Sequence, residues 1–284
     1  MFLMYNHALK SLCMNRLYKK VRLAVAHTRA SLSGYYPNFP VVPEESLFAE
    51  IAKFFSISLD EVKSIWKEYQ TLSPRQYGEK YGGEWERKHL CTEEAFLLFM
   101  LLKKFPVPSV VEIGTQYGKS TRRIVDMKKM LGNTAPIVCY DIVDSVKYFS
   151  SDEAELRLKD LTDSFKEEVL DRLPPGLIYL DAHPYGLLEE VLGEVVKDGR
   201  WIIAVHDCGL GLCNPHMTIP KSVYEYITSR SGLWERYVLA PLFGFKRAED
   251  PAMNDSANDT YRMRIFSTLH GLAVLVPRSL APST

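Results

Sequence analysis

From residue 92 onward, short apolar runs alternate with longer amphipathic stretches, the pattern of strands joined by helices. Ser109–Ile113, Ile137–Tyr140, Leu156–Lys159, Leu177–Leu180 and Trp201–Val205 read as five strands. Helices of about a dozen residues are expected in the gaps, which implies right-handed crossovers and a parallel sheet. Thr92 caps the first of these, with Glu93 and Glu94 in the turn where the helix dipole favours acids. The helix after the first strand runs to about Leu131 and stops at Gly132-Asn133. Near the end, Tyr237–Ala240 and Leu272–Val276 read as two more strands, separated by a long polar insertion. The fold class expected is α/β: a doubly wound, mostly parallel, Rossmann-like sheet with an N-terminal helical extension.

That extension divides further. Leu47, Phe48, Ile51 and Phe55 form one stripe of a helix from about Glu44 to Phe55. A second helix opens at Ser58, where Glu61 completes a capping box, and buries Val62, Ile65, Trp66 and Tyr69. Such a pair is placed to cover the mouth of an attached domain. Tyr35 to Pro43 holds three prolines and reads as a linker, and Tyr77 to Trp85 is turn-rich and aromatic. The expected organisation is a basic arm and linker over 1–43, a helical cap over 44–91 and a Rossmann-like domain over 92–284.

Charge changes the picture at one end only. The net formal charge is zero over 284 residues, so nucleic acid is not an expected partner. Yet Lys10, Arg16, Lys19, Lys20, Arg22 and Arg29 all precede the first acid, Glu44. Residues 1–30 read as a helix whose Leu9, Leu12, Cys13, Leu17 and Val21 face docks on the protein or on a partner subunit of a homo-oligomer. A membrane-surface contact or a transit peptide stays open as an alternative. No apolar run approaches the ~18 residues of a membrane span. Five scattered cysteines argue against a disulfide framework and for a reducing, cytoplasmic setting.

The chemistry gathers where strands end. Glu112 closes the first strand, Asp141 the second, Asp160 the third, Asp181 the fourth and His206-Asp207 the fifth. In a doubly wound sheet those ends face one crevice. A single acid there is ordinarily a helix cap or a loop ion pair; five in register point to a site. Gly114-x-x-x-Gly118 follows Glu112, and the helix opens with Ser120 and Thr121, so the turn suits a nucleotide-like ligand. Glu112 would repel a pyrophosphate and welcome an amino group or a sulfonium. Asp141 lies 23 residues after Gly118, close to the spacing at which an acid meets ribose hydroxyls. His206-x-Cys208-x4-Cys213-x2-His216 carries zinc-ligand residue types, but its spacing fits no common structural zinc site and its glycines mark a loop that would shape an acceptor pocket. Phe243 to Arg247 and the insertion to Arg264 would form another wall.

Val-Glu-Ile-Gly-Thr-Gln-Tyr-Gly-Lys-Ser-Thr, Leu-Ile-Tyr-Leu-Asp-Ala-His-Pro-Tyr and Ile-Ile-Ala-Val-His-Asp together resemble class I S-adenosylmethionine-dependent methyltransferases, nearest the branch of macrocin-type O-methyltransferases and cephalosporin-hydroxylase-like proteins. The likeness covers about Thr92 to Val276. It implies a methyltransferase-type sheet, with S-adenosyl-L-methionine as cofactor and Mg²⁺ or another divalent cation as helper. Glu112, Gly114, Thr115, Gly118 and Ser120 would then line the methionine part, Asp141 the ribose, and Asp160 the adenine amino group. Asp181 and Asp207, with His206 beside them, would match the metal-holding acids. Many relatives carry Asp-Gly-Asp-His-Ser-Tyr where this chain has Asp181-Ala182-His183-Pro184-Tyr185, one acid fewer. So two routes to an oxygen nucleophile stay open: a metal on Asp181 and Asp207, or His183 as the base. The reading is an O-methyltransferase for a hydroxyl of a small molecule or sugar. A nicotinamide-dependent oxidoreductase and a binding-only or non-methylating member of the fold are the alternatives.

Overall fold

The computed structural model describes residues 44–72, 92–209, 232–248, 250–268 and 271–280. Two helices come first, α1 (Glu44–Phe55) and α2 (Leu59–Tyr69), then α3 (Thr92–Lys104). The alternating body follows: β1 (Val110–Ile113), α4 (Lys119–Met130), β2 (Ile137–Asp141), β3 (Glu155–Leu158), β4 (Leu177–Leu180), α5 (Tyr185–Asp198) and β5 (Ile202–Val205). It ends with α6 (Gly232–Leu242), β6 (Asp255–Ala257), β7 (Tyr261–Phe266) and β8 (Leu272–Pro277).

All eight strands form one sheet, in the order β3-β2-β1-β4-β5-β8-β7-β6. The first five are parallel, and β8 enters antiparallel beside β5. The chain winds outward from β1 through β2 to β3, then returns to place β4 on the other side of β1. The loops after β1 and β4 therefore part, and a crevice opens at the carboxyl ends.

The central strands are buried on both faces, hence their near-continuous apolar runs. Alternation divides them between two cores. Val110, Cys139, Tyr179 and Ala204 pack under α1 to α4, while Val111, Tyr140, Ile178 and Val205 pack under α5 and α6. Register sets Glu112 opposite Cys139 and Tyr179, on the α1–α4 face. It is a mid-strand residue turned inward, with Ile113 still to follow.

Ser58 caps α2 by accepting from the Glu61 N–H at 3.1 Å, while the Glu61 carboxylate pairs with Lys104 of α3. Phe48, Trp66, Tyr69, Phe96 and Phe99 interlock as edge-on or tilted rings between α1, α2 and α3. Arg262 of β7 lies over the Phe54 ring and donates to its carbonyl at 3.2 Å, and Arg264 bridges Glu50 and Asp255. The helical pair thus shares the core of the sheet's first face.

Three expectations need correction. Tyr237–Ala240 is not a strand but part of α6, because a short apolar run does not discriminate helix from strand. The supposed polar insertion contains β6 and β7, which extend the sheet; Arg262 and Arg264 alternate with buried Tyr261, Met263 and Ile265. No helix fills residues 142–154, where Asp144 and Ser150 hydrogen-bond locally and compete with helix formation. Between β3 and β4 stands only a π-helical turn, Lys166–Leu170. Residues 1–43, the Tyr77–Trp85 segment, and Cys213 with His216 lie outside the described residues. Among the described residues, no helix is long and apolar enough to cross a membrane.

Candidate active site

Main-chain hydrogen bonds of 2.9 Å stitch the strand ends side by side: Gly114 N–H to the Tyr140 carbonyl, Asp181 N–H to Ile113, and His206 N–H to Leu180. Asp141, Asp181 and Asp207 are thereby brought to neighbouring positions on one edge. Asp160 stands apart and exposed, closing its own turn by accepting from Thr162 N–H at 2.9 Å.

On the β1–β2 side, Glu112 lies beneath the loop rather than at an open wall. It is fully buried, and it accepts hydrogen bonds from Ser120 and Thr121 at the start of α4, from Thr115 at 3.3 Å and from the Cys139 thiol at 3.6 Å. Burial pushes its pKa up to about 7, against the pull of those hydroxyls. Gly114 and Gly118 both have positive φ. A Cβ on Gly114 would meet the Asp181 carbonyl oxygen at 2.3 Å, and one on Gly118 would meet the Phe149 ring at 2.6 Å. Both glycines are required by the packing of the turn itself. Asp141 accepts from Gln116 N–H at 2.7 Å through one oxygen, and from Ile142 and Val143 through the other. Ile142 and Val143 stand 72% and 59% exposed beside it.

On the β4–β5 side, side chains from remote helices converge. His206 sets Nδ1 3.0 Å from Asp181 and 3.3 Å from Asp207, and Nε2 3.2 Å from Glu94 of α3. Glu94 is completely buried, and its second oxygen accepts from Thr268 at 2.7 Å. Burial disfavours the charged imidazole, but the three carboxylates outweigh it and hold His206 well above its ordinary pKa. His183 sets Nδ1 3.2 Å from Glu235 of α6, leaving Nε2 3.7 Å from Asp207 and 4.0 Å from Asp181. The Glu235 contact, joined by Asp207 and Asp181, raises His183 to about 9 despite partial burial. Burial lifts Glu235 itself to about 7. Asp207 adopts a φ of +58°, a left-handed conformation that aspartate tolerates better than most residues.

Donor atoms of Asp181, His183 and Asp207 all lie within 4.8 Å of one another. His183 completes this set, whereas His206 backs it with both nitrogens committed to carboxylates. Glu94 and Glu235 were not anticipated. Glu94 follows the helix start and precedes a run, Ala95 to Leu102, that is buried all round; a carboxylate abutting such a run was the available signal. Nothing local marks Glu235.

No protein-family model matches the chain, and no curated protein matches it. Solved structures do. Podospora anserina methyltransferase PaMTH1 with bound SAH is 15% identical, covering 84% of this chain and 97% of its own, at a TM-score of 0.42. The Bacillus cereus O-methyltransferase in complex with SAH is 13% identical over 82% and 97%, at 0.40. A CmcI structure with SAH is 14% identical over 43% of this chain, at 0.35, and the chain spans 63% of that protein.

Proposed function

We propose that the chain is an S-adenosylmethionine-dependent O-methyltransferase acting on a hydroxyl of a small molecule or sugar, assisted by a divalent cation. One observation carries the reading: a stitched row of strand ends whose two halves differ in chemistry. One half is a glycine turn with an acid held by main-chain donors; the other is a convergence of carboxylate and imidazole atoms.

Each half has a task in such a reaction. Asp141 keeps a lone pair on Oδ2 beyond its three N–H partners, and it suits a ribose hydroxyl. Ile142 and Val143 offer a flat base an apolar seat, with Asp160 as acceptor for its amino group. Gly114, Thr115, Gly118 and Ser120 shape the seat of the amino-acid part, and Glu112 acts from beneath by tying their loop to α4. S-adenosylmethionine, when bound, supplies an electrophilic methyl group on a sulfonium.

Asp181, His183 and Asp207 offer two hard oxygens and one borderline nitrogen, a donor set that fits a divalent cation with coordination positions left over. A cation held there supplies charge that favours the ionised acceptor oxygen. Asp181 and Asp207 orient toward the acceptor because His206 and, behind it, Glu94 fix them. A second reading rests on the Glu235 contact: His183, oriented through Nδ1, takes the acceptor's proton at Nε2. Chelation separates the two. EDTA suppresses turnover under the first; under the second, turnover survives and rises toward pH 9 as His183 loses its proton.

Thermal-shift titration with S-adenosylhomocysteine and with NADH tests the whole reading. Stabilisation by S-adenosylhomocysteine, abolished in Asp141→Ala, is the expected outcome. A response to NADH alone sinks it in favour of an oxidoreductase.

A further inference from the structure

We propose that the cation between β4 and β5 is a first-row transition ion of the Co²⁺ or Zn²⁺ kind rather than Mg²⁺, bound by Asp181, His183 Nε2 and Asp207, with Glu235 fixing the imidazole. The inference rests on the reading above, in which a cation assists methyl transfer at this edge.

Three observations support it. Glu235 comes from α6, 52 residues along the chain, its side chain is 2% exposed, and one oxygen faces His183 Nδ1 at 3.2 Å. A carboxylate accepts there, so Nδ1 carries the proton and Nε2 is the atom turned to the crevice. Nε2 lies 3.7 and 4.0 Å from the aspartate oxygens, beyond hydrogen-bond reach but within ion-pair distance, a spacing that one ion shared by all three donors would fill. His206 cannot substitute, because each of its nitrogens stands within 3.3 Å of a carboxylate oxygen. His183 is therefore the imidazole placed to ligate, a metal taking the position of the proton on Nε2. A carboxylate behind a ligating histidine is the usual way its tautomer and direction are set.

Donor chemistry then selects the ion. Mg²⁺ prefers an all-oxygen set and keeps its waters, whereas imidazole suits Zn²⁺, Co²⁺ and their neighbours. Replacing one oxygen donor by Nε2 moves the site toward the latter.

The experiment uses the full chain. Mn²⁺ serves as a probe whose electron-spin-echo modulation reports a directly bound nitrogen, and Co²⁺ and Mg²⁺ are titrated calorimetrically. A nitrogen signal is expected in the wild type and in His206→Gln, and none in His183→Ala. His183→Ala should lower Co²⁺ affinity more than tenfold and Mg²⁺ affinity only severalfold. Glu235→Gln should keep the signal and weaken Co²⁺ about tenfold. His183 is half-exposed, so its truncation leaves no buried hole. Bound Mn²⁺ without a nitrogen signal, or Co²⁺ affinity indifferent to His183→Ala, overturns the inference. A chain that binds S-adenosylhomocysteine but no metal also overturns it, and leaves methyl transfer standing with His183 as base. Failure to bind S-adenosylhomocysteine, with a nitrogen-bound metal present, removes the methyltransferase reading and leaves the metal site.

Discussion

The two halves of the crevice are built on different principles. Around Asp141, every partner is a main-chain N–H from an adjoining loop, so strand spacing alone fixes the acid. Around Asp181 and Asp207, the partners are side chains, and two acids behind them arrive from α3 and α6, Glu94 112 residues from His206 and Glu235 52 residues from His183. A half held by backbone tolerates sequence change and suits a ligand common to many proteins. A half held by converging side chains depends on the identity of each of them, and there the acceptor and the cation would be chosen.

The sharpest way to break that comparison is Asp207→Asn. If the halves are functionally separate, turnover falls about a thousandfold while S-adenosylhomocysteine still stabilises the protein, since cation and acceptor positioning accounts for several kcal/mol. Loss of the thermal shift would mean that Asp207 belongs to the cofactor half. Unchanged turnover would remove the β4–β5 cluster from the chemistry.

Glu112 underlies the cofactor half and carries a cost of its own. Its folded pKa of about 7 exceeds the ordinary 4.5, so between those values the folded chain holds a proton that the unfolded chain has released. Its contribution to stability is present in full below pH 4.5 and is lost as pH rises through 7, amounting to about 3 kcal/mol. Glu112→Gln, uncharged throughout, should abolish that slope in urea titrations from pH 5 to 8.5. It should be the more stable form at pH 8 and bind S-adenosylhomocysteine poorly. Equal slopes for both proteins would show that Ser120, Thr121 and Thr115 hold Glu112 ionised.

The same contrast explains what could be read from the sequence. Strands β1 to β5 fell within one residue of expectation: the runs of β1, β4 and β5, buried on both faces, must be apolar, and the turns between strands carry Pro, Gly and Asp. Asp141, Asp181 and Asp207 followed, since a residue's place at a strand end is a local fact. The pairing of His183 with Glu235, and of His206 with Glu94, is set by how α6 and α3 dock, and no spacing encodes it. β7 was legible in principle: Tyr261 to Phe266 alternates as a half-buried strand should. Its two arginines disguised it as polar insertion, although Arg262 is spent on α1 and Arg264 is shared between α1 and β6.

Thr268→Val gives the finest measure of how far the β4–β5 half leans on remote groups. The substitution keeps the side chain's shape but removes the hydroxyl that donates to Glu94 at 2.7 Å and accepts from Gly271 N–H at 3.1 Å. Glu94 then retains His206 as its partner among these contacts, and a buried N–H loses its acceptor, for a loss of about 1–2 kcal/mol in stability. Because Glu94 steers His206 and His206 steers both aspartates, turnover should fall as well, by less than tenfold, with cofactor affinity unmoved. A stability loss without any change in turnover would confine the Thr268–Glu94 contact to the fold. A fall in cofactor affinity would mean that the two halves move together.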